Sequence, residues 1–356
     1  MGAEVSSQSY SREERQRYRE KVRQNLDVFE KMLNTSSFEF DKPMTGLEIE
    51  LNLVDADMQP HFHNAEVLAA IADEDYPTEL AQYNIELNVP PRPLPGDSAL
   101  ELESELRASL NRAAAKAQEV GSKIVAIGIL PTIMPEHYEG EWISRNNRYT
   151  ALNDSIFVAR GEDIYLDIEG PSGERVATYC DSIAPESACT SVQLHLQVAP
   201  SEFAAHWNAA QALCAPQVAL AANSPFFFGK RLHAETRIEL FKQATDTRPI
   251  ELKNQGVRPR VFFGERWITS IFDLFEENVR YFPTLLAETT DEDPMAKLEA
   301  GEAPELAELR REMDALKRAV HDARPAEPAA EPRPKTKAKP KPKPRPVVVQ
   351  AQADAD

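Results

Sequence analysis

The segment 46–53 alternates without a break. Leu47, Ile49, Leu51 and Leu53 are apolar, and Glu48, Glu50 and Asn52 between them are polar. A period of two over eight residues reads as a β-strand with one face on a core. The other face carries two carboxylates at positions i and i+2, which project from the same side of a strand. Like charges that close repel, so this strand needs something positive against it, most simply a divalent metal.

Two later segments repeat the pattern. Residues 83–89 put Asn84, Glu86 and Asn88 on one face, and residues 191–198 put Gln193, His195 and Gln197 on one face. If the three strands share a sheet, its polar face gathers three glutamates, one histidine and several amides. Such an oxygen-rich face, nearly free of lysine, suits Mg²⁺ or Mn²⁺ better than a structural zinc. Each strand alone reads equally well as an ordinary strand with a solvated outer face. The recurrence of the same residue classes in three strands favours a site.

The chain has 356 residues, 42% of them hydrophobic, enough for one large domain or two ordinary ones with a sizeable core. No apolar run reaches the length of a membrane span, and residues 1–10 are polar, without the apolar centre of a signal peptide. Cys180, Cys189 and Cys214 are odd in number and lack metal-ligand spacing, so reduced thiols in a cytoplasmic protein are expected. No motif surrounds Cys189 to make it a nucleophile. The net charge of −18 argues against specific nucleic-acid binding. That charge is uneven: residues 325–356 carry a net +3 and residues 1–324 a net −21.

The patterns predict helices over 12–34, 64–75, 99–120, 151–160, 201–221 and 269–286. Capping boxes open the first at Ser11 and the third at Ser98. Beyond the three polar-faced strands, a buried strand is predicted over 123–130 and a hairpin over 164–179 around Gly170-Pro171-Ser172-Gly173. Pro90-Pro91-Arg92-Pro93 is expected to be loop. So are residues 226–266, which hold arginines and aromatics with little period, as in an active-site or interface loop. Arg310 to Val320 reads as a charged helical stretch. The Lys- and Pro-rich run after Pro325 reads as an extended, disordered tail.

The residues now in hand resemble the glutamate–cysteine ligase family, in the bacterial branch that also holds carboxylate–amine ligases. The resemblance covers about residues 10–308. It is carried by Thr45-Gly46-Leu47-Glu48-Ile49-Glu50, Asn84-Ile85-Glu86-Leu87, Arg148-Tyr149, Thr190-Ser191-Val192-Gln193-Leu194-His195, Ala222-Asn223-Ser224-Pro225-Phe226 and Asp246-Thr247-Arg248. Gly264-Glu265-Arg266-Trp267 and residues 273–278 make it most similar to an actinobacterial-type subgroup. The resemblance implies an α+β fold like glutamine synthetase, a curved antiparallel sheet with outer helices whose polar concave face holds metals, ATP and the acid substrate. It implies that ATP phosphorylates the γ-carboxylate of glutamate and that an amine, that of cysteine in the type enzyme, displaces the phosphate to leave an amide.

By the same resemblance Glu48, Glu50 and Glu86 would ligate Mg²⁺ or Mn²⁺. His195 or Gln193 would reach a metal or the phosphates, and the two stay open. Arg148 and Arg248 would neutralise phosphate or substrate carboxylate. Tyr149 and Arg237 would join them in binding substrate or ATP. An arginine here reads otherwise as a surface ion pair with one of the many acids. Family members continue past the equivalent of Leu309 with a strand of Glu-x-Arg type. The expected organisation is therefore a catalytic domain over 1–309, truncated at its C-terminal end, a charged stretch over 310–324 and a tail over 325–356. Three readings follow: an active ligase with small-molecule substrates and no membrane partner, a remnant that binds nucleotide or metal without turnover, and an interaction protein working through its tail. A metal-dependent hydrolase lacks support, since no H-E-x-x-H motif is present.

Overall fold

Strand β1 (Met44–Val54) is the spine of the main sheet. In the computed structural model of the chain, residues 5, 7–35, 38, 43–94 and 98–301 are described. The expectations for residues 310–324 and 325–356 lie outside these. Helix α1 (Arg12–Thr35) precedes β1, and α2 (Asn64–Ile71), β2 (Asn84–Pro93), α3 (Ser98–Glu119) and β3 (Lys123–Val125) follow it. Next come α4 (Asn147–Arg160), the hairpin of β4 (Ile164–Glu169) and β5 (Arg175–Cys180), β6 (Val192–Leu196) and α5 (Pro200–Ala221). The last described part holds a small hairpin of β7 (Phe226–Phe227) and β8 (Lys230–Arg231), then α6 (Arg237–Ala244), α7 (Ile250–Asn254), α8 (Ile271–Tyr281) and α9 (Pro294–Gly301). The fold is α+β with antiparallel pairing, as expected.

One edge of β1 pairs with β2 along residues 44–52, and the other is shared by β6 at residues 45–49 and β3 at residues 52–54. The apolar face of β1 and β2 is the core side. Leu47, Ile49, Leu51, Leu53, Ile85 and Leu87 pack there with Val67 of α2 and Ala113 and Ala117 of α3. Burial of such side chains stabilises by roughly 1.5–3 kcal/mol each, enough to lock the register, since a one-residue slip would bury the glutamates. A second core surrounds the β4–β5 hairpin and α4, centred on Tyr83, Ile164, Leu166 and Ile168.

Helix α1 opens with the expected capping box: Ser11 N–H donates to Glu14 and Glu14 N–H donates to Ser11 Oγ. The side chain of Ser98 lies outside the described residues. Elsewhere the boundaries differ for physical reasons. Helix α2 stops at Ile71 because Ala72 turns left-handed at φ 52°. Pro90 to Pro93 continue β2 instead of looping; β2 is an edge strand with a register shift near Thr45, where missing N–H donors cost no ladder bond. Strand β3 ends at Val125 because the carbonyls of Ile127 and Gly128 turn to Asn52 and Thr190. Helix α4 starts at Asn147, four residues earlier than predicted, capped by the Asn146 side chain, so Arg148 and Tyr149 lie in its first turn. Pro200 at the first position opens α5 one residue earlier than predicted. The span 226–266 contains β7, β8, α6 and α7, whose shortness hid their period. Helix α8 ends at Tyr281, five residues earlier than predicted.

Candidate active site

The register of the sheet assembles the polar face. Glu50 stands opposite Glu86, Glu48 opposite Asn88 on one side and Gln193 on the other, and Asn52 opposite Asn84. His195 pairs with Gly46, where a side-chain carbon would meet His195 Cβ at an ordinary contact distance of 3.6 Å. Glu48, Glu50, Glu86, Gln193 and His195 therefore share one face of three adjacent strands.

Their contacts differ. Glu50 accepts from Ser191 N–H at 2.8 Å and Ser191 Oγ at 3.2 Å, with Gln193 Nε2 at 3.5 Å. Burial nonetheless raises its pKa, and the charge of Glu86 adds to the rise. Glu86 is 3% exposed and its pKa is raised as well, by burial first and then by the charge of Glu48. Glu48 lies 3.6 Å from His195 Nε2 at the open end of the face. Behind the acids, Asn84 Nδ2 donates to Asn52 Oδ1 and Asn52 Nδ2 donates to Ile127 O, a buried amide relay that fixes the sheet.

Next to this face lies a cavity of about 790 Å³ walled by β1, β6, α5 and α6. It exposes two acids that sequence reasoning missed, Glu79 and Glu186. Glu79 follows the bridge residue Thr78, and Glu186 belongs to a short 3₁₀ turn over Ala184–Ala188. Burial pushes Glu79 up to about 8, helped by the charges of Glu50, Glu86 and Glu186. Burial and the charge of Glu50 push Glu186 up to about 7. Neither has a periodic neighbourhood; Pro185 at the start of the 3₁₀ turn was the one local signal. Tyr149 touches this corner, its hydroxyl donating to Thr78 O at 3.0 Å, and Arg148 precedes it.

The arginines fall in different places. Arg237 lines the cavity, paired in bidentate fashion with Glu235 and donating to Thr190 O at 2.6 Å. Arg248 is bidentate to Asp246 and donates to Val257 O, outside the residues that line the cavity. Cys180, Cys189 and Cys214 are free thiols. Cys189 lines the cavity, but burial and then the charge of Glu186 drive its thiol far above the usual range, which makes it a poor nucleophile.

A family model for glutamate-cysteine ligase family 2 (GCS2) matches residues 44–256, more than half of the chain. The chain belongs to glutamate-cysteine ligase family 2. The match begins at the first residue of β1 and ends two residues beyond α7, so it takes in the whole polar face and the cavity walls. It is narrower than the resemblance read from the motifs: α1 and α8 lie outside it. No curated protein matches the chain. GCS2 membership supports a carboxylate–amine ligase role in general terms. Among the described residues no helix is long and apolar enough to cross a membrane.

Enzymes of this ATP-dependent family typically need a divalent metal. The donor set at the face, three carboxylates with amides and an imidazole, fits a hard divalent cation in its chemistry. Burial raises the proton affinity of both Glu50 and Glu86, and a neighbouring carboxylate adds to each rise, Glu86 for Glu50 and Glu48 for Glu86. Among the described residues no three His, Cys, Asp or Glu side chains are drawn together at ligand spacing.

Proposed function

We propose that the chain is an ATP-dependent ligase that joins the γ-carboxylate of glutamate to an amine through an acyl phosphate. The observation that carries this reading is Glu50 facing Glu86, with Glu48 on the same face, beside a cavity large enough for a small molecule, in a GCS2 chain. Glutamate and the triphosphate are both anionic and repel. Glu48, Glu50 and Glu86 would hold Mg²⁺ or Mn²⁺ at the face, with His195 or Gln193 at its rim. The metal, when bound, supplies charge neutralisation between phosphates and carboxylate.

The residues of the chain do the rest. Ser191 fixes the Glu50 carboxylate, so its orientation does not depend on the ligand. Arg148 is assigned to the phosphate or the substrate carboxylate, and Tyr149 anchors it next to Glu79. Arg248, committed to Asp246 and Val257, is assigned to holding its own segment. In the reaction a γ-carboxylate oxygen takes the terminal phosphoryl group as its bond to ADP breaks. The amine nitrogen then forms a bond to the acyl carbon, the carbon–oxygen bond to phosphate breaks, and Glu186, the more readily ionised of the two cavity acids, takes the proton that the nitrogen sheds.

Phosphate release from Mg²⁺-ATP, measured with glutamate alone and with glutamate plus an amine, tests the reading, with the amide product identified by mass. Glu48→Gln and Glu50→Gln are expected to abolish Mg²⁺-ATP binding while the protein stays folded. If both variants bind like the parent, the reading is wrong. A second reading, binding without turnover, is favoured by one observation: all five residues of β6 are exposed, so among the described residues the face is open along that edge.

A further inference from the structure

The cavity beside the carboxylate face has an unusual charge balance. Glu50, Glu79, Glu186 and Glu235 line it, and the single lysine or arginine among the described lining residues is Arg237. Arg237 is committed at all three of its nitrogens: Nε and Nη2 go to Glu235 and Nη1 goes to Thr190 O. Glu235 is committed in turn to Arg237, Ser224 Oγ and Asn223 N–H. The pair cancels, which leaves Glu50, Glu79 and Glu186 facing the space. The side-chain carboxylate of Glu186 accepts no hydrogen bond from any described residue, although burial encloses it on the cavity wall. Between the acids the wall is apolar, built from Ile49, Leu80, Val218, Ile238 and Phe241.

Such a space discriminates by charge. A molecule with its own carboxylate would bring a further anion into an enclosure whose one described cation is occupied. A molecule with an ammonium group and an apolar body would satisfy Glu186, offset Glu79 and pack against the aliphatic wall. We propose that this cavity receives the amine substrate as a cation, and that the amine is one without a carboxylate of its own, an alkyl monoamine or diamine rather than an α-amino acid. The inference rests on the ligase reading for what becomes of the amine, whereas the binding chemistry comes from the cavity alone. The high proton affinities of Glu79 and Glu186 agree with it, because they mark a place where nothing positive yet offsets the acids.

Cysteamine and L-cysteine differ by one carboxylate, so they test the inference without any variant. Isothermal titration of the full chain at pH 7.5 is expected to give cysteamine and 1,4-diaminobutane at least about tenfold tighter binding than cysteine. Glu186→Gln should weaken both amines by about tenfold, and the control Glu239→Gln, on α6 but outside the cavity lining and paired with Lys242, should leave them unchanged. Cysteine binding as tightly as cysteamine overturns the proposal, as does diaminobutane binding that Glu186→Gln leaves intact. If Mg²⁺-ATP turnover yields an amide with cysteine but none with cysteamine, the ligase reading stands and this inference falls. If the amines bind as expected and no nucleotide binds, the inference about the cavity stands and the ligase reading falls.

Discussion

Glu50 of β1 stands directly across the ladder from Glu86 of β2, and the pKa of each is raised. Carboxyls of this kind hold protons in the folded chain that the unfolded chain has already released. Their contribution to stability is therefore fully present below the ordinary glutamate pKa and is lost as pH rises toward the folded value. With Glu186 at about 7 and Glu79 at about 8, the window runs from roughly pH 4.5 to pH 8. Glu79→Gln should raise the melting temperature by several degrees at pH 8.5 and hardly change it at pH 4.5. A series of thermal melts against pH checks this, and the same shift at both pH values would contradict it.

Gly128 makes room for the arginine of the cavity. A Cβ there would stand 2.8 Å from Arg237 Cζ and 2.8 Å from the backbone oxygen of Asn223, which cannot step aside as a flexible side chain can. Gly128→Ala should cost about 1–3 kcal/mol in chemical denaturation.

Arg248 offers a separation of roles. Asp246 is 6% exposed and takes two bonds from this guanidinium, with Lys253 at 3.3 Å as a further partner. Arg248→Met should destabilise by about 1.5–3 kcal/mol, while Mg²⁺-ATP affinity, measured by titration well below the melting temperature, stays within about twofold of the parent. A large loss of affinity in a folded variant would return Arg248 to the site.

Much of this was legible in the chain because the signal was local. The alternation of 46–53 declared both the core side and the polar face of β1, but not the helix residues that cover the core, Val67, Ala113 and Ala117. Which strands would pair was readable only through shared residue classes, Asn84 and Glu86 in one and Gln193 and His195 in another. Glu79 and Glu186 stayed hidden because they sit in irregular backbone, where no periodicity marks which way a side chain faces. Arg237 begins an eight-residue helix, two turns that look aperiodic inside a stretch rich in arginine. The prolines of β2 misled for the opposite reason: their local rule was overridden by an edge position that only the sheet defines.

Strand β6 is a surface in its own right. Val192, Leu194 and Leu196 are 61%, 69% and 58% exposed. Replacing Leu194 by Thr should change stability by no more than about 0.5 kcal/mol, although it sits in the sheet. Denaturant titration checks the prediction, and a cost of several kcal/mol would mean that another element covers this strand in solution.

Helix α8 carries a complete capping box, Ser270 Oγ accepting from Phe272 N–H and Asp273 accepting from Ser270 N–H. Phe272 and Phe275 lie against Phe29 of α1. Ser270→Ala should therefore cost about 1 kcal/mol, with amide exchange accelerating in α1 as well as in α8.

The bonds from Ser191 to Glu50 join residues 141 positions apart. During synthesis at roughly 5–20 residues per second, on the order of ten seconds separate the emergence of the acid from that of its donor. Throughout that interval the nascent β1 presents its glutamates with no β6 beside them. The carboxylate face is a late product of folding, closed only after the chain has doubled back across more than a third of its own length.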